Sequence, residues 1–400
     1  MPDSLLSHRM ARISSVLVDL LAQLQDPDSN RRMEDPLACD FMLGNPHETP
    51  LPSFVEALQH QLAPQNKDWF AYKMNEPQSQ QTVAASLQEW RQVAFKPEDI
   101  FLTTGAFSAI AVALNAILDP GDEVIFISPP WFFYEAMILA AQGVPVRVKV
   151  GADFDLDLGA INAAITPRTR AIIVNSPNNP TGKIYPSDTL NSLGLLLGSA
   201  QKVTGRPIFM LSDESYSKII FDGRKFLSPT SYYPNSFLIY TYGKTLLTPG
   251  QRIGFIALPP EMPNPQPVRE SLFLAQMLSG YAFPNALLQH ALPELNQLSI
   301  DVARLQARRD RMVTALRAMG YQVHSPEGTF YLLPKSPWPD DRAFVKLLQQ
   351  YQIYCLPGSV AEMPGYFRIS LTANDDMIER ALPGFEKAFE RARLFETIEA

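Results

Sequence analysis

One lysine stands where an apolar strand stops. Residues 236–255 run Ser-Phe-Leu-Ile-Tyr-Thr-Tyr-Gly-Lys-Thr-Leu-Leu-Thr-Pro-Gly-Gln-Arg-Ile-Gly-Phe. The strand Phe237 to Tyr240 turns at Thr241-Tyr242-Gly243 and delivers Lys244, and Arg252 follows between glycines. An amine fixed at a strand end can form a Schiff base with an aldehyde, and a hydroxyl (Thr241) with a planar guanidinium (Arg252) can hold an anion beside it. The stretch therefore fits covalent chemistry on a phosphate-bearing aldehyde. Taken alone, it also fits a strand followed by a solvated basic loop.

Other strand ends carry chemistry of their own. Met210-Leu211-Ser212-Asp213-Glu214-Ser215-Tyr216 puts an acid at the carboxyl end of a buried strand, with a phenol three residues on. A buried carboxylate needs a partner, although Asp213 could equally cap the segment after it. Ile173-Val174-Asn175-Ser176-Pro177-Asn178-Asn179-Pro180-Thr181-Gly182 holds the amide of Asn179 between two prolines. Thr104-Gly105-Ala106-Phe107-Ser108 enters a helix through glycine, leaving free backbone N–H groups that suit a phosphate. Gly44, in Leu43-Gly44-Asn45-Pro46, lets the backbone approach a ligand, or is simply a turn. Arg368, inside Tyr366-Phe367-Arg368-Ile369-Ser370-Leu371, is either the exposed member of an alternating strand or a buried anion clamp. The aromatic cluster Trp69-Phe70-Ala71-Tyr72-Lys73 is a small core patch or a binding loop.

The elements that must position these residues follow a βαβ rhythm. Short apolar strands are expected at 99–103, 123–128, 145–150, 171–175, 207–211, 236–240 and 253–258. Helical segments lie between most of them, notably 109–118 and 186–200. Such alternation predicts a mostly parallel sheet covered on both faces, with ligands at the strand carboxyl ends. After a proline-rich loop at 259–267 come helices, including one at about 299–319, a strand with 328–333, a loop at 356–359, a strand at 366–371 and a last helix. A helix followed by a charged loop occupies residues 1 to about 40, with an amphipathic stretch at 13–24, and another helix is expected at 51–62.

Bulk properties exclude several roles. The chain has 400 residues, an apolar fraction of 46% and 35 scattered prolines, which read as loop corners of a large folded protein. Net charge is −7 and no basic run is long enough for a nucleic-acid stripe. Cys39 and Cys355 form no disulfide framework, which fits a reducing, cytoplasmic compartment, and the five histidines show no metal spacing. No apolar run reaches the length of a membrane span, and the N-terminal stretch reads as an amphipathic helix, not a signal peptide.

Together, Asn-Asn-Pro-Thr-Gly at 178–182, Asp213 with Tyr216, and the Lys244 and Arg252 pair resemble the class I/II aminotransferases, in that family's order and spacing, over roughly residues 40–390. The resemblance implies an α/β fold-type I enzyme using pyridoxal 5′-phosphate (PLP). It implies an N-terminal helix and arm at 1–45 that packs with the small domain. It also implies a large cofactor-binding domain at 46–295, with a mostly parallel central sheet covered by helices, and a smaller α+β domain at 296–400. Lys244 would hold the cofactor and shuttle a proton, and Asp213 would pair with the pyridine nitrogen. Asn179 and Tyr216 would hydrogen-bond the ring oxygen, and Trp131 would stack on the ring. Backbone N–H groups at Gly105, Ala106 and Phe107, with Thr241 and Arg252, would take the phosphate. Arg368 would clamp the substrate carboxylate, with Asn179 and the backbone at Gly44 beside it. Tyr72 would reach the phosphate of a partner subunit, implying a homodimer with shared sites.

The implied activity is ping-pong transfer of an amino group between an L-amino acid and a 2-oxo acid. The same scaffold also supports elimination, decarboxylation, cyclisation and oxygen-dependent oxidation, and a regulator that kept the fold is a further, non-enzymatic alternative. The chain departs from the family pattern in two places. Asn75-Glu76-Pro77 follows the Tyr72 loop where a glycine is usual, and Gly243 precedes the lysine where many members carry serine. The side-chain pocket is expected near Phe41, Trp131 and Tyr134 and in segments from the partner.

Overall fold

The computed structural model describes residues 7–280 and 283–399. Its centre is a seven-stranded sheet built from β1 (Ile100–Thr103), β2 (Glu123–Ser128), β3 (Val144–Lys149), β4 (Thr169–Asn175), β5 (Phe209–Asp213), β6 (Ser236–Thr241) and β7 (Gly254–Ala257). The order across the sheet is β1-β7-β6-β5-β4-β2-β3, and β7 runs antiparallel to both of its neighbours. Every residue of β1, β2, β5, β6 and β7 is buried, as expected of strands covered on both faces. Helix Ala106–Ile117 contributes to one apolar layer with Phe126, Phe209 and Phe237, and Ser187–Thr204 contributes to another with Ile125, Ile172 and Met210.

Several local expectations shift. The helix expected from 109 begins at Ala106, because Gly105 adopts φ +86° and turns the chain directly into it. The strand expected at 207–211 lies at Phe209–Asp213, which puts Asp213 on the strand's last residue. Lys244 sits within a short helix, Tyr242–Thr245, capped by the Thr241 hydroxyl, where a plain turn was expected. The N-terminal stretch at 13–24 is two helices, His8–Val16 and Val18–Gln25, meeting at Leu17. The expected loop at 356–359 is a strand, Leu356–Pro357, leading into a helical turn.

A second core gathers the C-terminal residues. Strand Phe367–Ser370 pairs antiparallel with Leu356–Pro357 and with Tyr331–Leu332, and helices Val302–Met319, Asp341–Gln349 and Asp375–Glu399 cover it. Phe330, Phe344, Phe367 and Phe385 are fully buried there, together with Phe41. The N-terminal segment joins this layer: Cys39–Asp40 pairs parallel with Ile353–Tyr354, and the Ser370 N–H donates to the Phe41 carbonyl. Ile13, nearer the start, packs instead on Ala136 and Leu139 beside the large sheet.

Candidate active site

Three adjacent strands end at the same place. In β4, β5 and β6 the register sets Asn175 opposite Asp213 and Asp213 opposite Ile239, two residues before Thr241. A cavity of about 240 Å³ opens over these ends. Lys244, Asp213, Arg252, Arg368, Asn179, Tyr216, Thr241, Trp131, Gly44, Ala106 and Phe107 all line it, drawn from stretches far apart in sequence.

Asp213 is buried and accepts from the Tyr134 hydroxyl at 2.6 Å, and from the N–H and hydroxyl of Ser215 at 3.1 and 2.6 Å. It has no ion-pair partner among the described residues, whereas its neighbour Glu214, also buried, is paired with Arg91. A buried carboxylate with neutral donors only is suited to a cationic N–H that arrives with a ligand. Burial, reinforced by the negative charge of Asp213, pushes the Tyr134 phenol well above its ordinary range, so Tyr134 remains a donor.

The anion-binding end is built on the turn into helix Ala106–Ile117. A Cβ on Gly105 would lie 2.7 Å from Arg252 Nη2, so only glycine admits this arginine beside the helix N-terminus. Arg252 Nη1 donates to the Pro249 carbonyl at 2.6 Å, and burial lowers the guanidinium's pKa. No acidic residue occupies the helix's first turn, so the guanidinium and the helix N-terminus together favour a phosphate. Thr241 lines the same end, its hydroxyl 3.4 Å from the Gly243 N–H.

At the other end, Arg368 is 2% exposed, which settles the strand's ambiguity: Phe367 and Ile369 face the C-terminal core and Arg368 faces the cavity. Nη1 donates to Asn179 Oδ1 at 3.2 Å and Nη2 to the Met42 carbonyl at 3.1 Å, while the Nε N–H is buried without a partner. An orphaned guanidinium N–H facing a cavity suits a carboxylate. Gly44 lies beside it, and a Cβ there would come within 2.6 Å of the Tyr331 hydroxyl.

Lys244 Nζ lies 5.7 Å from the ring centres of both Tyr216 and Phe330 and has no carboxylate partner among the described residues. A side-chain hydrogen bond links Tyr216 and Tyr331. Burial, together with the neighbouring Tyr331, raises the Tyr216 pKa well above the usual phenol range. Burial acts the same way on Tyr331, but the charges of Arg368 and Lys244 and the bond with Tyr216 outweigh it and lower that phenol's pKa. The Arg368 guanidinium lies 4.1 Å from the centre of the Tyr331 ring.

The loop near Phe41 and the residues around Trp131 and Tyr134 reach the cavity through Leu43, Gly44, Trp131 and Phe132, while three of the aromatic side chains themselves lie elsewhere. Tyr134 does not line the side-chain pocket: it is fully buried beneath Asp213. Phe41 points into the C-terminal core, and Leu43 lines the cavity in its place. Tyr72 is fully exposed and outside the cavity. In the Asn75-Glu76-Pro77 stretch, Asn75 Oδ1 accepts from the Leu102 N–H at 2.7 Å and Pro77 opens a helix, so the departure from glycine has a structural use. Tyr331, Asn175, Ser215 and Phe132 also line the cavity and carry no local sequence signal.

A family model described as aminotransferase class I and II matches residues 37–385. The chain is similar to the aspartate/prephenate aminotransferase of Thermus thermophilus, 30% identical over 350 residues that cover 85% of this chain and 88% of the relative. It is also similar to a probable aspartate/prephenate aminotransferase of Aquifex aeolicus, 29% identical over 358 residues with the same coverage. Among solved structures, an amino transferase from Eubacterium rectale superposes with a TM-score of 0.86 at 26% identity, over 97% of this chain and 99% of that one. The aspartate aminotransferase from Rhizobium meliloti superposes with a TM-score of 0.83 at 25% identity and the same coverage.

Proposed function

The chain belongs to the class I and II aminotransferases, and we propose that its cavity holds PLP and exchanges an amino group between an L-amino acid and a 2-oxo acid. The observation that carries the assignment of the site is that Asp213, Lys244, Arg252 and Arg368 line one cavity and none has an ion-pair partner among the described residues. When bound, PLP supplies an electron sink that stabilises negative charge at the substrate's Cα.

The protein's own groups divide the remaining work. Asp213, held by Tyr134 and Ser215, would pair with the ring nitrogen. Arg252, Thr241 and the N–H groups of Gly105, Ala106 and Phe107 bind the phosphate. Asn179 and Tyr216 would hold the ring oxygen, and Trp131 would cover the ring. Arg368 takes the α-carboxylate with its free Nε, between Asn179 and the backbone at Gly44, and so points the Cα–H towards Lys244. Lys244 would accept that Cα proton on Nζ and deliver it to the cofactor's aldehyde carbon.

The full exposure of Tyr72 supports its reaching out to a second copy of the chain, in a homodimer with shared sites. Buried free thiols at Cys39 and Cys355 support a cytoplasmic location. The fold also favours a division at about residues 45 and 295, with separate apolar cores on either side of the cavity. The names of the relatives make aspartate a first amino acid to test.

The test is a visible spectrum. PLP added to the protein gives a bound, absorbing form, and an amino acid added without oxo acid bleaches it with release of one equivalent of the matching 2-oxo acid. Release of ammonia or carbon dioxide, or uptake of oxygen, in place of the oxo acid would overturn the proposal.

A further inference from the structure

We infer that the amino acid accepted by this site carries an aromatic side chain, not a second carboxylate; the inference rests on the transaminase reading and narrows it. Every cation on the cavity wall has a role: Lys244 at the reacting carbon, Arg252 at the phosphate and Arg368 at the α-carboxylate. No further lysine or arginine lines the cavity among the described residues. Just behind Trp131 and Phe132 lies Arg147, the natural candidate for a distal carboxylate. It is already committed, at 2.5 Å from Glu135 and 2.8 Å from Glu362, and those two acids would repel an incoming anion.

The wall that remains is aromatic. The Phe107 and Trp131 rings meet edge to face at 5.1 Å and 88°, and Phe132 lies 6.3 Å from Trp131. Phe132 is also 5.8 Å from the Arg368 guanidinium, so a substrate fixed there by its carboxylate presents its side chain to this cluster. Phe107 is 37% exposed and lines the cavity beside two other aromatic rings, Trp131 and Phe133, and Leu43 adds a further apolar surface. A second carboxylate placed against these groups would lose its water and gain no partner among this chain's described residues, whereas a phenyl or indole ring would be buried against ring edges and faces.

The experiment uses the PLP-loaded protein. Single-turnover bleaching is followed with L-phenylalanine, L-tyrosine and L-tryptophan against L-aspartate and L-glutamate. Separately, binding of two unreactive acids, 3-phenylpropanoate and succinate, is measured by calorimetry. Burial of one aromatic ring predicts that phenylalanine exceeds aspartate in kcat/KM, and 3-phenylpropanoate exceeds succinate in affinity, by roughly tenfold or more. Phe107→Ala is expected to shrink both ratios to about threefold or less. Aspartate matching or exceeding phenylalanine, or succinate binding as tightly as 3-phenylpropanoate, overturns the inference while leaving transamination intact. If no amino acid bleaches the protein, transamination itself fails, and the binding ratio still decides between an aromatic and a dicarboxylic site.

Discussion

Arg308 and Arg309 of helix Val302–Met319 and Arg368 of the cavity are similarly buried and differently matched. Arg308 and Arg309 are 6% and 3% exposed, and Arg368 is 2% exposed. On the helix, Arg304 and Arg308 share Glu48 and Asp375, Arg309 grips Asp222 and Asp310, and Arg311 grips Glu379. In the cavity, among the described residues, Arg368 hydrogen-bonds an amide and a backbone oxygen and Arg252 a backbone oxygen, with no carboxylate on either. Burial alone therefore does not mark a functional charge. A buried cation answered by carboxylates of its own chain is structure, and one answered only by neutral oxygens is held for an anion that comes from outside.

The comparison breaks if cavity charges matter chiefly for stability. The largest expected effect is from Lys244→Ala, which should lower turnover by at least about 10³-fold through loss of the proton carrier, with an unchanged unfolding midpoint. Steady-state kinetics beside urea denaturation separates the two effects. Tyr134→Phe removes one hydrogen bond to the Asp213 carboxylate and should lower kcat/KM by roughly tenfold, the equivalent of one charge-assisted bond. Its unfolding midpoint should move little, because the ring stays in place.

On the helix the pattern reverses. Arg309→Leu forfeits bonds to Asp222 and to the Pro326 carbonyl and should destabilise by about 1.5–3 kcal/mol in urea titration, with activity per folded molecule retained. The pair also has a pH signature. The hydrogen bond from Arg309 lowers the Asp222 pKa in the folded protein, so its stabilisation is present above the ordinary carboxylate range and is lost as pH falls through that lowered value. The wild type should lose stability there more steeply than Arg309→Leu. The smallest effect belongs to Arg311→Ala: both members of its pair with Glu379 are about half exposed, and no change in thermal midpoint is expected. A clear drop would mean that exposed pairs on this helix are more than solvated contacts.

Much of this contrast was legible in the residues themselves. Strand-end punctuation singled out Lys244, Asp213 and Asn179 as candidates, and an arginine inside an apolar strand singled out Arg368, but it was the resemblance to a family that chose between their functional and structural readings. Nothing local singled out Tyr134: in sequence it is one more aromatic in Trp131-Phe132-Phe133-Tyr134, and its partner Asp213 lies 79 residues away. Tyr331 was hidden in the same way, as an apolar-looking member of a short strand whose neighbours Arg368 and Lys244 arrive from other elements. Phe41 and Leu43 would share a face of a regular strand, and the pairing of Cys39–Asp40 with Ile353–Tyr354, with the bonds of Phe41 to Tyr354 and Ser370, fixes how the segment enters the core. In the sheet, apolar runs located the strands to within a few residues. The antiparallel direction of β7 came from its pairing with β1 and β6, which periodicity does not encode.

The bond from Arg368 to the Met42 carbonyl ties together residues 326 positions apart. On a ribosome adding about 5–20 residues per second, the segment around Met42 waits roughly 15–65 s before its partner is made. Through that interval the sheet end carrying Asp213 and Lys244 can assemble, but the carboxylate clamp has no second half. On the proposed roles, nascent chains stalled before residue 368 are expected to take up PLP yet fail to hold an amino acid, so that cofactor binding would come before substrate binding during the chain's own synthesis.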